Sequence, residues 1–348
     1  MPLLSLTLKS FRNHKNAHFV FPITTVVIGK NTVGKTSILE AIQFLSHGKS
    51  FKAERDIDVI TEGHDFARIE ASVEGEEGAD SLVVILGKTE QRSSKKFLVN
   101  NVARRQVDFT ARFLSVLFTP EDLEIITDSP SLRRNYINSV LCQTDKKYRI
   151  ALTIYEKALK HRNRMLYLLR EGKKHFNDGD FEYWDNILIQ NGGVLTGARE
   201  QFVEYINRHE KEVFRFDVFY DKSTITRERL DKYYDAERAS ATTLVGPNRD
   251  DFFFHFPNTE KPIAEFGSRG EQRLTILQMK ILETFFIKEK TGQTPTLLLD
   301  DIFSELDNTN IHRVLDLLPH QQTILTTTHK EFVPEKILKK EEVGIIEL

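Results

Sequence analysis

Eight consecutive residues, Gly29-Lys30-Asn31-Thr32-Val33-Gly34-Lys35-Thr36, constrain this chain more than any other feature. They match the spacing of a phosphate-binding loop, and they stand where such a loop has to stand, between an apolar strand and a helix. Thr25-Val26-Val27-Ile28 reads as a buried strand that stops at Gly29. From Thr36 onward, Ile38, Leu39, Ile42 and Leu45 recur at helical spacing until His47-Gly48 ends the run. Glycines let backbone N–H groups curl around phosphate oxygens, and the start of the helix adds partial positive charge. Lys35 then reaches the outer phosphates and Thr36 supplies a ligand for Mg²⁺.

A second chemical group lies near the other end of the chain. Leu297-Leu298-Leu299 is an apolar strand that delivers Asp300 and Asp301 at its carboxyl end, the edge at which an open parallel sheet binds its ligands. Neighbouring residues on a strand point opposite ways, so Asp300 can hold Mg²⁺ or its water while Asp301 orients or deprotonates an attacking water. Phe266-Gly267-Ser268-Arg269-Gly270-Glu271-Gln272-Arg273 precedes a helix whose apolar face includes Leu274, Leu277, Ile281 and Phe285. That makes Ser268, Gly270 and Gln272 candidates for an anion site at a helix start. Because the chain's own loop already holds Lys35 and Thr36, a γ-phosphate from a second subunit would satisfy it. His329 follows the strand Thr323 to Thr326 and is expected to sense a γ-phosphate.

Composition narrows the remaining classes. Hydrophobic residues make up 40% and charged residues 29% of 348, the profile of a globular protein. One cysteine, Cys142, excludes an internal disulfide and a four-cysteine metal site, so a cytoplasmic location is expected. No secretory signal is visible at the amino terminus, and no apolar stretch approaches the about 20 residues of a spanning helix, so no membrane partner is expected. Net charge is −2, which leaves any polyanion binding to local clusters such as Lys95-Lys96, Arg104-Arg105, Arg133-Arg134, Lys146-Lys147 with Arg149, and Lys157, Lys160, Arg162 and Arg164.

The texture of the chain divides it in three. Residues 1–119 read as the first part of an α/β head, with strands at 67–73, 81–87, 96–103 and 113–118 forming an antiparallel β layer. Residues 120–241 read as an inserted helical domain. There Leu152, Tyr155, Leu159, Leu166 and Leu169 form one seam that omits Arg162, and Leu188, Leu195, Ala198, Phe202 and Tyr205 form another that omits Asn191. The reading is an antiparallel hairpin turning near Gly172 to Gly179, either a plain helical subdomain or a projecting arm, with Gly192, Gly193 and Gly197 weakening its second helix. Residues 242–348 return to the head with the Ser268 cluster, the acidic pair and His329.

In this order the four elements resemble an ABC-type ATPase head, and the helical insertion between phosphate loop and acidic pair is similar to that of chromosome-maintenance and recombination ATPases. Within that group the chain resembles the RecF family. The resemblance runs almost end to end: Leu8 with Phe11-Arg12-Asn13, Leu39-Glu40-Ala41-Ile42, Gly48-Lys49-Ser50-Phe51 with Arg55-Asp56, Phe118-Thr119-Pro120-Glu121-Asp122-Leu123, Ser129-Pro130 with Arg133-Arg134, Val245 to Asp251, and Leu299 to Asp307. It implies ATP and Mg²⁺ as cofactors, with the nucleotide bound by the loop from Gly29 to Ser37 and capped by Ser268 and Gly270 of a second copy. It also implies an ATP-dependent homodimer, weak ATP hydrolysis acting as a release timer, duplex DNA at gaps or junctions, and a RecR-like mediator partner in recombinational repair. Alternatives are another ABC- or SMC-type repair or phage-defence ATPase, or a clamp switched by ATP without hydrolysis. Four positions depart from the family: Thr32 stands where Gly is usual, Arg269 and Glu271 where Gln is frequent, and Asn248 where His is usual. Thr is disfavoured wherever φ must be positive, so an altered conformation of the early loop is expected.

Overall fold

The computed structural model describes residues 2–75, 78–88, 93–176, 178–302, 321–333 and 343–348. Two compact units account for them, Met1–Leu123 with Arg273–Leu348, and Glu124–Gln272. Residues 242–272, assigned to the head from sequence, cluster with the helical unit. Their strand β10 (Asp251–His255) pairs antiparallel with β9 (Asp217–Asp221), and Asp250 is ion-paired to Arg199 within that unit.

In the first unit, β1 (Leu3–Phe11), β2 (His14–Val20), β4 (Phe66–Gly75), β5 (Gly78–Lys88), β6 (Ser93–Val99) and β7 (Val102–Arg104) form an antiparallel sheet in the order β2-β1-β4-β5-β6-β7. The segment read as one strand over 96–103 is two strands, because Asn100 and Asn101 both adopt positive φ (50° and 64°) and turn the chain. Asn tolerates that region, and a two-residue turn of this kind matches the twist of a hairpin. A second sheet is parallel, in the order β13 (Val343–Glu347), β3 (Thr24–Ile28), β12 (Thr323–Thr327), β11 (Thr296–Leu299) and β8 (Ser115–Phe118), so the strand expected at 113–118 belongs here, paired with β11, and not to the antiparallel layer. Strands of such a sheet are covered on both faces, which is why Leu297-Leu298-Leu299 and Val26-Val27 are apolar at successive positions.

Helix α1 (Lys35–His47) supplies Ile38, Leu39, Ala41, Ile42, Phe44 and Leu45, all inaccessible to solvent, to a core shared with the inward faces of both sheets. Burial of each large side chain is worth about 1.5–3 kcal/mol, so this one helix anchors the loop before it firmly. The short helix α2 (Gln106–Phe109) adds Phe109 to the same core.

The second unit contains α3 (Glu124–Thr127), α4 (Pro130–Thr144), α5 (Lys146–Arg170), α6 (Asp178–Arg208), α7 (Arg227–Ser240), α8 (Ile263–Phe266) and the first residues of α9 (Arg269–Thr291). Helices α5 and α6 run antiparallel: Tyr148 at the start of α5 meets Arg199 late in α6, while Arg162 meets Asp185 early in α6. The expected turn lies between them. The α5 seam is displaced from the one read in sequence. Its buried face is Tyr148, Ala151, Tyr155, Ala158, Arg162 and Leu166, so Arg162, the omitted position, is at the centre and 1% exposed. Arg162 pairs with Asp185 at 2.6 Å and Glu237 at 2.7 Å, which satisfies its buried charge. On α6, Leu188, Leu195, Phe202 and Tyr205 are buried as expected. Helix α6 continues through its three glycines, and at Gly192 the reason is packing: a Cβ there would lie 2.5 Å from Ile225 and 3.3 Å from Tyr155. Among the described residues no helix is long and apolar enough to cross a membrane.

Candidate functional site

The parallel sheet brings the chemistry together at one edge. The phosphate loop follows β3, Asp300 and Asp301 follow β11, His329 follows β12, and Pro120 and Glu121 follow β8, each at a strand's carboxyl end. A cleft of about 370 Å³ lies there, lined by Asn31, Thr32, Gly34, Lys35, Thr36, Ser37, Lys52, Pro120, Glu121, Asp300 and Asp301.

Lys35 is folded onto its own loop, its ammonium donating to the carbonyls of Gly29 (2.6 Å) and Lys30 (3.0 Å). Burial lowers its pKa, opposed by the charges of Asp301 and Asp300. Thr36 donates to Asp300 Oδ2 at 2.8 Å, although the two residues come from opposite ends of the chain. Thr326 donates to the other oxygen of Asp300 at 2.6 Å and accepts the Asp301 N–H at 3.1 Å. Burial raises the Asp300 pKa despite both hydroxyl donors, so the carboxylate stands to gain from a cation. A hydroxyl and a carboxylate side by side are hard oxygen donors of the kind Mg²⁺ takes, so the Thr36–Asp300 pair fits Mg²⁺.

Asp301 lines the cleft with φ at 48°, left-handed backbone that Asp tolerates better than most residues. Thr32 is the more strained of the two. It has φ at 74° and carries the β-branched side chain anticipated as a poor fit there, with its hydroxyl turned back on the Asn31 carbonyl at 2.5 Å. Gly34 follows at φ 115°, where only glycine is comfortable. Val33 and Gly29 touch one another at the neck of the loop, a Gly29 Cβ falling 2.8 Å from the Val33 side chain.

Two residues of the cleft, Lys52 and Glu121, carry charges not assigned to it from sequence. Lys52 directly follows the Gly48 to Phe51 segment, and that adjacency was the available signal. Glu121, within the Phe118 to Leu123 segment that carries the family resemblance, lines the cleft beside Pro120. Its neighbour Asp122 instead accepts the Thr119 N–H at 2.7 Å and pairs at 3.3 Å with buried Lys280 of α9. His329 is exposed, and its carbonyl accepts from Thr327 at 3.2 Å.

Ser268, Gly270 and Gln272 belong to the second unit, at the start of α9. Glu271 accepts both the N–H and the hydroxyl of Ser268 at 2.8 Å, and Ser268 Oγ accepts the Glu271 N–H at 3.3 Å. That reciprocal arrangement is a capping box, the physical reason for Ser and Glu three residues apart, and the Ser268 hydrogen bonds hold the Glu271 pKa below its ordinary value. Gln272 is buried, its amide donating to the carbonyls of Ile263, Ala264 and Gly267, so it braces the turn ahead of the helix. Asn248 accepts the Tyr155 hydroxyl at 2.6 Å within the helical unit. Residues 303–307 of the segment from Leu299 to Asp307 lie outside the described residues.

The basic clusters separate by burial. Arg133 is committed to Asp251 (2.7 Å) and Arg162 to its acidic pair, while Lys95 is held by Asp56 (2.5 Å). Lys96, Arg104, Arg105, Lys146, Lys147, Lys157, Lys160 and Arg164 are exposed.

Comparison with known proteins agrees with this geometry. The profile of the RecF/RecN/SMC N-terminal domain matches residues 2–346. The DNA replication and repair protein RecF of Halalkalibacterium halodurans is 34% identical over all of this chain and 98% of its own length, and that of Latilactobacillus sakei is 32% identical over 97% of this chain and 95% of its own. A solved structure of the recombination mediator protein RecF with ATP, in the RecFOR pathway, superposes with a TM-score of 0.86 at 26% identity, covering 95% of this chain and 93% of that one. An Smc head domain from Pyrococcus yayanosii, at 16% identity and a TM-score of 0.50 over 93% of this chain and 92% of its own, shares the fold. With one profile spanning nearly the whole sequence and full-length relatives above 30% identity, the chain belongs to the RecF family.

Proposed function

We propose that this chain is an ATP-dependent recombination mediator of DNA repair, whose cleft binds ATP with Mg²⁺ and whose nucleotide state controls self-association on duplex DNA. The observation that carries the reading is the 2.8 Å contact between Thr36 and Asp300, made by a phosphate loop and a strand-end carboxylate on one sheet edge. Asn31, Lys35 and the loop amides would hold the phosphates, and Thr36 and Asp300 would hold Mg²⁺, which when bound neutralises charge on the outer phosphates. Asp301 is the candidate for orienting the attacking water and accepting its proton. An aspartate sets its carboxylate closer to the backbone than a glutamate would, in keeping with slow turnover and a timer's role.

Ser268 and Gly270 of a second copy would close on the γ-phosphate, giving an isologous dimer with two shared nucleotides. Only the triphosphate offers that contact, so hydrolysis favours opening. Exposed Lys and Arg side chains would meet the phosphates of gapped or junction duplex without reading bases. The RecFOR context of the ATP-bound relative supports a RecR-like partner. The test is the mass in solution with ATP and Mg²⁺ against ADP, with and without gapped duplex, beside Ser268→Arg. Dimers of wild type in ATP alone, absent from Ser268→Arg, support the reading. A mass that never responds to nucleotide overturns the shared-nucleotide assignment. Phosphate release over time separates a timer from a switch that does not hydrolyse.

A further inference from the structure

The segment Phe11-Arg12-Asn13 stood out in the sequence, yet none of its residues lines the cleft. In the structure Arg12 and Asn13 form the turn between β1 and β2, and this turn lies against the back of the phosphate loop. Asn13 Nδ2 donates to the Val33 carbonyl at 2.6 Å and, at 3.4 Å, to that of Thr32. His14 Nε2 is 3.1 Å from the Gly34 carbonyl. The approach is so close that a Cβ on Gly34 would fall 2.6 Å from Asn13 and from His14.

Peptide planarity gives those contacts a consequence. In a trans peptide the C=O of one residue and the N–H of the next point in opposite directions. Holding the carbonyls of Val33 and Gly34 toward the turn therefore aims the N–H groups of Gly34 and Lys35 away from it. Gly34 and Lys35 line the cleft, and these are the amides that a phosphate oxygen would meet.

The turn is itself fixed. Arg12 makes two hydrogen bonds to Glu40 of α1, at 2.8 and 2.6 Å, and Glu40, 1% exposed, also accepts from Ser50. The Arg12 N–H reaches Val59 and its carbonyl accepts from Thr61. Arg12 has φ at 53°. A rigid brace is what the neighbouring strain calls for, because Thr32 at φ 74° has a standing tendency to rotate to negative φ and carry the adjacent peptide with it.

We propose that the β1–β2 turn is a latch for the phosphate loop, with Asn13 and His14 as positioning residues that hold its peptide planes against the strain at Thr32. The inference rests on the reading of the cleft as a nucleotide site. It adds that the latch is needed here because Thr32 replaces a residue that would lie at positive φ without strain. Asn13 is exposed, so its loss spares the core.

The experiment is a double-mutant cycle with Asn13→Ala and Thr32→Gly, read twice in each of the four proteins. The first reading is the dissociation constant of a fluorescent ATP analogue with Mg²⁺. Asn13→Ala should weaken it about tenfold beside Thr32, and by no more than about twofold beside glycine, as expected for one positioning hydrogen bond. The second is the amide exchange rate of Gly34 and Lys35 without nucleotide, which should rise on Asn13→Ala only beside Thr32. Equal losses of affinity in both backgrounds, or unchanged exchange, overturn the latch. Failure of the wild type to bind the analogue overturns the nucleotide assignment, whereas the exchange measurement still decides whether the turn holds the loop.

Discussion

Asp300 sits at the conflict that defines this cleft: burial raises its pKa, yet it is the carboxylate that Thr36 contacts and that the proposed function assigns to Mg²⁺. Removing the charge should therefore relieve the folded chain while disabling the proposed cation site. In thermal melts without Mg²⁺, Asp300→Asn is expected to match or exceed wild type. The gain in stability on adding Mg²⁺ and ATP, about 2.7 kcal/mol at a hundredfold excess over the dissociation constant, should vanish in the variant. His47 provides a second residue-scale test, in pH. Burial lowers its pKa from 6.5 to about 4. The unfolded chain therefore takes up this proton first, and stability falls as pH drops from about 6.5 toward 4, by at most about 3 kcal/mol. His47→Gln should flatten that limb of the stability curve relative to wild type, and an unchanged limb would assign the slope to carboxylates.

At the scale of elements, the two adjacent glycines of α6 separate propensity from packing. Gly193 has open space around it, whereas Gly192 meets Ile225 and Tyr155. Alanine in a helix interior gains up to about 1 kcal/mol over glycine, so Gly193→Ala should raise the denaturant midpoint by that order. At Gly192 the same gain is outweighed by overpacking, typically 1–3 kcal/mol, so Gly192→Ala should lower it. Shortening Ile225 to Ala in the same chain should recover part of the loss. The helices themselves were readable from their periodicity. Which face of α5 turns inward was not, because the partners that make Arg162 burial tolerable, Asp185 and Glu237, lie on α6 and α7. The hairpin hidden in 96–103 did have a signal, the Asn100-Asn101 pair, which an apolar alternation on either side obscured.

For the whole molecule, the proposed function links turnover and assembly through Asp301. Replacing it by Asn keeps shape and hydrogen bonding but removes the proton acceptor. The expected outcome is a dimer in ATP that persists far longer than that of wild type, followed by mass in solution after dilution. Rapid dissociation of Asp301→Asn would show that opening does not wait on hydrolysis. Position along the chain was a poor guide to the units. Residues 242–272 read as the return of the head, yet β9–β10 pairing and the Arg199–Asp250 ion pair tie them to the helices.

The sequence by itself determined the local chemistry: a phosphate loop between strand and helix, an acidic pair at a strand end, and a helix start at the Ser268 cluster. Those are short-range patterns, set by backbone geometry and side-chain periodicity within a dozen residues. Tertiary structure alone decided that Thr36 and Asp300 meet, that Glu121 and Lys52 face the cleft while Asp122 turns to Lys280, and that Asn13 and His14 support the loop from behind. Each of these depends on strand order in a parallel sheet or on a turn packed against a distant loop. Such pairings are fixed by the burial of a shared core, and that energy is spread over the whole chain rather than written at any one site.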